Sequence, residues 1–253
     1  MLGRITILLY GVASYAVFFA TFLYAVGFVG NFWVPKTIDG TPSVPLAQAL
    51  LTNLALLSLF AVQHSVMARP AFKRWWTRFV PEPAERSTYV LFSSVALIAL
   101  FALWEPMGGV VWSVESPVAR ALVHAVYAAG WLLILVATFL INHFDLFGLR
   151  QVWLHARGVA YQPLRFGTPW LYRHVRHPLY VGWLLAFWAA PTMSAAHLVF
   201  ALTTTAYILV AIQFEERDLV AAHPEYAGYQ RDVPMLVPRL VPKEAPASMA
   251  ETG

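Results

Sequence analysis

The sequence contains no cysteine. Disulfides, thiolate metal ligands and cysteine nucleophiles are therefore excluded. Its 8 histidines are scattered without a spacing that would gather three ligands, so we expect no metal site. Charged residues are also scarce, at 12% of the chain against roughly a quarter in soluble proteins. A composition this poor in charge indicates a chain that lies in lipid.

Apolar residues make up 59% of the chain and fall into long blocks. The blocks run from Ile5 to Val29, Leu46 to Met67, Tyr89 to Trp104, Val118 to Ile141 and Leu179 to Phe214. Each can cross the hydrocarbon core, which needs about 20 helical residues, although the third is a tight fit. The first block lacks the pattern of a removable signal peptide, and we interpret it as a retained anchor.

The last block is too long for one crossing. Its roughly 36 residues would form a helix of about 54 Å, whereas the core is about 30 Å thick. Pro191, Thr192 and Ser194 lie near its middle and favour a break. The pattern predicts an all-α, polytopic transmembrane helix bundle of four spans followed by a C-terminal hairpin of two rather short helices.

Basic residues cluster in alternate loops. The loops after the second, fourth and last blocks are rich in arginine, whereas the loop after the third block leans acidic. By the positive-inside rule, the N terminus, the second and fourth loops and the C terminus are cytoplasmic. This topology accounts for the net charge of +4, and no basic-aromatic module points to nucleic acid.

Two polar clusters flank the predicted hairpin, whose antiparallel arms would bring them to one membrane face. The first contains Arg173, Arg176, His177, Pro178, Tyr180 and Gly182, and the second contains Glu215, Glu216 and, further on, Tyr229. Pro178 suits the first turn of a helix, whose N-terminal N–H groups favour a ligand carboxylate. The glutamate pair needs compensation from Arg173, Arg176, Arg217 or a polar ligand. A ligand with a carboxylate, a ribose, an amino group and an onium centre would use both clusters.

The segments RHPLYVG at 176–182, EE at 215–216 and YAGYQRDVP at 226–234 resemble the signature of the isoprenylcysteine carboxyl methyltransferase and phospholipid methyltransferase superfamily. Shorter runs, including QHS at 63–65 and NHFDLFG at 142–148, are similar to the bacterial methanethiol S-methyltransferases within it. The resemblance implies S-adenosylmethionine as cofactor, held by the two clusters. It also implies a small thiol as substrate and a bacterial inner membrane, with the site facing the cytoplasm.

Methyl transfer to a thiol requires a group that raises the thiolate fraction. His143 and Asp145, at the end of the fourth block, are a plausible proton-accepting pair. His64, with Gln63 beside it at the end of the second block, is the competing candidate.

Other interpretations stay open at this point. The same cofactor could serve a prenylated carboxylate or a phospholipid amine as acceptor. The run HSVMAR at 64–69 also loosely resembles a non-enzymatic denitrification-associated membrane protein or transporter, although the spans offer few ionisable residues for transport. The oligomeric state is not fixed by the sequence.

For domain organisation we expect a four-span bundle over residues 1–142. A cytoplasmic loop, the hairpin and the C-terminal cofactor-binding region would follow over 143–242. Residues 243–253, rich in alanine, proline, serine and glutamate, should form a disordered tail.

Overall fold

The structure, a computed structural model, describes residues 2–238. The expected disordered tail, 243–253, lies outside these residues. The helices are α1 (Leu2–Gly30), α2 (Leu46–Ala68), α3 (Pro70–Trp76), α4 (Glu82–Leu103), α5 (Pro117–Ile141), α6 (His143–Leu146), α7 (Leu149–Ala156), α8 (Pro178–Trp188), α9 (Ala195–Ala222) and α10 (Tyr226–Asp232). A 3-10 turn covers Trp170–Arg173, and two short strands, β1 (Val110–Ser113) and β2 (Thr192–Ser194), complete the set.

The all-α class is confirmed, and within residues 2–238 five helices are long and apolar enough to cross a membrane: α1, α2, α4, α5 and α9. The third block is longer than expected, because α4 begins at Glu82 rather than near Tyr89. Glu82 and Glu85 lie in its first turn, where acidic side chains interact favourably with the helix dipole. The 22 residues of α4 remove the tight fit.

The predicted break in the last apolar block is present, since α8 ends at Trp188 and α9 begins at Ala195. The expectation of two rather short arms is wrong for the second arm. Helix α8 has 11 residues, about 16 Å, but α9 has 28, because it continues beyond the apolar block to Ala222. The Ser194 hydroxyl caps the start of α9 by accepting from the His197 N–H.

One end of the bundle is joined by contacts among three loops. Strand β2, between α8 and α9, pairs antiparallel with β1, between α4 and α5, a ribbon that the sequence patterns did not predict. The Ser194 hydroxyl also donates to Asp39 in the α1–α2 loop. These connections therefore lie together at what we call the ribbon end.

The opposite end gathers the polar clusters, and we call it the cluster end. Arg69, after α2, pairs with Asp218 near the end of α9 at 2.9 Å. Arg86 of α4 donates to the carbonyl of Leu146 at 2.7 Å. The ends of α2, α4, α6 and α9 thus surround one region.

Helix α8 is held in place mainly by α5. A Cβ at Gly182 would lie 2.8 Å from the carbonyl oxygen of Gly130, and a Cβ at Gly130 would lie 2.7 Å from the N atom of Ala186. The two backbones approach so closely that neither glycine position has room for a side chain. This contact fixes the start of α8 next to the end of α5.

Candidate functional site

Arg176 and Glu216 form the centre of the cluster end. Arg176 Nε donates to Glu216 Oε1 at 2.6 Å, and Nη2 donates to Oε2 at 3.3 Å. Only 10% and 6% of the two side chains are exposed. His177 Nε2 lies 2.9 Å from the same Glu216 oxygen. The residues before α8 and those near the end of α9 are therefore in direct contact, as the sequence patterns predicted.

Arg176 also holds the segment that follows α9. Its Nη1 donates to the carbonyls of Gln230 at 2.9 Å and Val233 at 2.5 Å. The backbone N–H groups of Arg176 and His177 donate to the carbonyls of Pro234 and Met235. The guanidinium is thus surrounded by acceptors from the protein itself. The expectation that Arg176 compensates a glutamate is confirmed, and its role in cofactor binding stays a prediction.

Tyr229 contributes to the same attachment rather than pointing at the glutamates. Its hydroxyl donates to the carbonyl of Tyr172, just before α8. Burial raises the pKa of Tyr229 to about 12, so its hydroxyl stays protonated and able to donate at neutral pH. Tyr229 thus joins α10 to the 3-10 turn.

Glu215 and Arg173 have much smaller sets of partners. Tyr180 donates to Glu215 Oε2 at 2.8 Å, and 42% of the Glu215 side chain is exposed. The exposed Arg173 donates through Nε to the Thr168 carbonyl at 3.3 Å. Both charged groups keep hydrogen-bonding capacity.

Of the candidates to compensate the glutamates, only Arg176 contacts one of them. Arg217 instead lies over the ring of Phe214, 5.8 Å from its centroid. Pro178 opens α8 as predicted. Gly182 faces α5, so the observed close approach is that of a neighbouring helix, and a cofactor role for Gly182 stays a prediction.

His143 lies in a buried aromatic box and is 3% exposed. Its Nε2 is 2.8 Å from the Tyr15 hydroxyl and its Nδ1 is 2.9 Å from the Thr138 hydroxyl. The ring stacks on Phe139, with 4.4 Å between centroids. Burial lowers the pKa of His143, so the neutral imidazole is favoured.

The expected pair of His143 with Asp145 does not form. Asp145 accepts from Arg150 at 2.8 Å and from the Tyr161 hydroxyl at 3.3 Å. Its backbone N–H is bonded to the Asn142 side chain, which caps α6. Among the described residues the carboxylate is thus bound to Arg150 and Tyr161 rather than to the imidazole, and a catalytic role for Asp145 stays a prediction.

His64, the competing candidate, contacts two hydroxyl groups from α4. Its Nε2 lies 2.8 Å from the Tyr89 hydroxyl and its Nδ1 lies 3.0 Å from the Ser93 hydroxyl. Its neighbour Gln63 instead bonds to the Met67 sulfur. The carboxylate of Glu215 is within electrostatic reach of Tyr89. His64 is therefore linked, through Tyr89, to the region of the second cluster.

Three tyrosines in this region were missed from the sequence. Tyr15 contacts His143, Tyr89 contacts His64, and Tyr207 bonds to Ser65 at 3.1 Å. Each lies inside an apolar helix, where a tyrosine gives the same hydropathy signal as a residue facing lipid. The sequence offered no signal for them, because only the structure shows that these hydroxyls lie where they need a partner.

Over residues 2–238, no three His, Asp or Glu side chains are grouped so that they could hold a metal ion.

Comparison with curated proteins shows which proteins this chain is similar to in sequence. The chain is 56% identical to the methanethiol S-methyltransferase of Crocosphaera subtropica over 238 aligned residues. The alignment covers 94% of this chain and 93% of that protein. The chain belongs to the methanethiol S-methyltransferase family. Another methanethiol S-methyltransferase, from Mycobacterium tuberculosis, is 54% identical over 93% of this chain and 97% of its own length. Nurim of Sus scrofa is 34% identical over 196 residues, 74% of this chain and 72% of Nurim.

No family model matches the chain, and no solved structure matches it. Membership of the methanethiol S-methyltransferase family nevertheless confirms the resemblance seen in the sequence. With its five apolar helices, the chain is an integral membrane methyltransferase. This assignment favours an enzyme over the transporter interpretation.

Proposed function

We propose that the protein transfers a methyl group from S-adenosylmethionine to a small thiol, with methanethiol as acceptor and dimethyl sulfide as product. Methanethiol is the acceptor in the names of the relatives. The observation that carries the proposal is the contact between the start of α8 and the glutamates of α9. It brings the N-terminus of α8 close to the Glu215 carboxylate, which keeps spare hydrogen-bonding capacity.

The residues present suit the chemistry of S-adenosylmethionine. Arg173 is exposed, has one backbone partner and can bind a carboxylate. Among the described residues Glu215 accepts one hydrogen bond, from Tyr180, and it can also accept from an ammonium group or from ribose hydroxyls. The N-terminus of α8, at His177 and Pro178, lies beside them and favours an anion.

In this proposal the ion pair of Arg176 and Glu216 has a structural role. Arg176 and Glu216 neutralise each other and attach the segment after α9, so they position the wall that carries Glu215. Gly182 and Tyr229 support the same wall through α5 and the 3-10 turn. When bound, S-adenosylmethionine supplies a methyl group on a positively charged sulfur.

The chain's own residues must remove the thiol proton and exclude water. We assign the proton to His64, because Tyr89 links it to the region of Glu215. His143, held by Tyr15 and Thr138, is the alternative base. A site walled by aromatic rings leaves the thiolate poorly solvated, and this raises its reactivity towards a cationic methyl donor.

The proposed orientation follows from the charge pattern. Arg69, Arg74, Arg78 and Arg86 all lie in or beside the segment between α2 and α4, at the cluster end. The positive-inside rule then places the site and both chain ends at the cytoplasmic face of a bacterial inner membrane. Residues 1–142 would form the supporting spans, and 143–242 would provide the cofactor-binding region.

Calorimetry on the purified protein in detergent tests donor binding. We expect S-adenosylmethionine to bind, and to bind at least about tenfold more weakly to Arg173→Gln, which removes a charge-assisted hydrogen bond. Arg74→Gln is the matched control, because Arg74 is exposed and makes no ion pair or hydrogen bond with either glutamate. No heat of binding to the wild type would remove the proposal.

Isotopic labelling tests the acceptor. Membranes containing the protein, given methanethiol and donor with a labelled methyl group, should release labelled dimethyl sulfide. Label appearing in prenylated peptides or phospholipids instead would reassign the acceptor.

Two alanine variants distinguish the bases. We expect His64→Ala to lower turnover by about a hundredfold or more while donor affinity stays unchanged. If His143→Ala alone has that effect, the base is His143. Full activity in both variants would contradict the mechanism.

A further inference from the structure

The ribbon end contains a cavity of about 580 Å³, remote from the donor cluster. Its wall combines both signs of charge with a buried histidine, and these lining residues are Asp39, Arg120, His124 and His197. Nothing in the proposed methyl transfer uses any of them. We propose that this cavity binds the headgroup of a phospholipid that carries a primary ammonium, of the phosphatidylethanolamine type.

His197 shows that part of the wall is built for a hydrogen-bond donor. It is 1% exposed, and its Nε2 lies 2.9 Å from the carbonyl of Phe187. Because a carbonyl can only accept, the proton is on Nε2, and Nδ1 is left as an acceptor. Nδ1 has no hydrogen-bond partner among the described residues. A buried polar atom of this kind calls for a ligand or a water molecule.

Asp39 makes the same region negative. It accepts from Asn31 at 2.8 Å and from Ser194, but a carboxylate has about four acceptor positions, so two stay available. Its charge is within electrostatic reach of His197. Asp39 and His197 both line this cavity, and a carboxylate beside an unpaired buried acceptor suits an ammonium group with several N–H donors.

Arg120 and His124 make the other side of the cavity suitable for an anion. Arg120 uses Nη1 for the Val114 carbonyl at 3.2 Å and the Thr192 hydroxyl at 3.4 Å, and its remaining N–H groups have no partner among the described residues. His124 is exposed, one turn further along α5. Together they can bind a phosphate.

The points at which the two charged residues contact β2 are spaced on the scale of a short zwitterion. Arg120 contacts Thr192 and Asp39 contacts Ser194, two residues apart on β2. Two strand residues span about 7 Å, which is the scale of a phosphate joined to an ethanolamine.

An apolar groove indicates that the zwitterion belongs to a lipid. A second cavity of about 290 Å³ shares Ala189 and Ala190 with the first, and its wall includes Leu122 and Val126 of α5. Their side chains are 63% and 43% exposed on a helix apolar enough to cross a membrane. An acyl chain can follow this groove while the headgroup occupies the polar cavity, an arrangement that a soluble zwitterion could not use.

Lipid titration of the purified full-length protein, followed by native mass spectrometry, tests the proposal. Phosphatidylethanolamine should bind at least about tenfold more tightly than phosphatidylcholine with the same acyl chains, because a quaternary nitrogen has no N–H for Asp39 or His197. Phosphatidylglycerol, which lacks the ammonium, should also bind more weakly. Equal binding of all three lipids would overturn the proposal, as would soluble phosphoethanolamine that binds as tightly as the lipid.

Variants separate this site from a general effect on folding. Arg120→Gln and His124→Ala should each weaken phosphatidylethanolamine binding by about threefold or more. Arg74→Gln removes the same charge at the opposite end and should bind the lipid as the wild type does. Donor affinity at the cluster end should stay unchanged in all three variants, which shows that they are folded. Unaltered lipid selectivity in both cavity variants would refute the assignment.

Discussion

The same substitution should affect different properties at the adjacent residues Glu215 and Glu216: stability at Glu216 and donor affinity at Glu215. Glu216→Gln removes the charge that faces Arg176 in a pair whose side chains are 6% and 10% exposed. Breaking a buried ion pair by removing one partner costs about 3–5 kcal/mol, because the remaining charge is left uncompensated. We therefore expect the free energy of unfolding to fall by about 3 kcal/mol or more in Glu216→Gln.

Glu215→Gln should leave stability nearly unchanged. Its side chain is 42% exposed and accepts one hydrogen bond, from Tyr180, so the loss should be about 1 kcal/mol or less. Donor affinity should instead fall by roughly 10-fold to 150-fold, the equivalent of one charge-assisted hydrogen bond of about 1.5–3 kcal/mol.

Two measurements on the same detergent samples check both effects. Urea unfolding followed by tryptophan fluorescence gives the stability, and calorimetry gives the affinity for S-adenosylmethionine. Wild-type stability in Glu216→Gln would show that the pair with Arg176 does not support the fold. Wild-type affinity in Glu215→Gln would show that this carboxylate does not touch the donor.

Two further predictions concern packing and pH. Gly182→Ala should destabilise the protein by about 1–3 kcal/mol, since its Cβ would meet the Gly130 carbonyl at 2.8 Å, whereas Gly3→Ala, with nothing within 4 Å, should show no loss in the same urea unfolding assay. Burial lowers the folded-state pKa of His143 below its ordinary 6.5, so the unfolded chain takes up the proton more readily and stability is lost as the pH falls below 6.5. The melting temperature should therefore fall less steeply between about pH 7.5 and 5.5 in His143→Gln than in the wild type. An equal fall in both proteins would contradict this role of His143.

Long apolar blocks could be located from sequence because they depend on composition alone. The break near Pro191 was also predictable, since the block exceeds the thickness of a membrane and contains residues that interrupt helices. The contact of the residues before α8 with Glu216 followed from that break. In each case a local pattern and one length limit were sufficient.

The partners of individual side chains could not be predicted in this way. Arg176 was expected to face the glutamates and a ligand, and it does contact Glu216, but its bonds to the carbonyls of Gln230 and Val233 were not foreseen. Asp145 was paired with His143, its near neighbour in sequence, but an ion pair with Arg150 holds it elsewhere. Such choices depend on the direction of a side chain and on competition among several acceptors, and a one-dimensional pattern contains neither.

The attachment of residues 230–235 to Arg176 and His177 has a consequence for biosynthesis. These residues leave the ribosome after all five of the helices that, within residues 2–238, are long and apolar enough to cross a membrane. A nascent chain halted before Gln230 would already contain these five helices, but the guanidinium of Arg176 would lack two of its carbonyl acceptors. The contacts that attach residues 230–235 to Arg176 and His177 can therefore form only after those five helices have been synthesised.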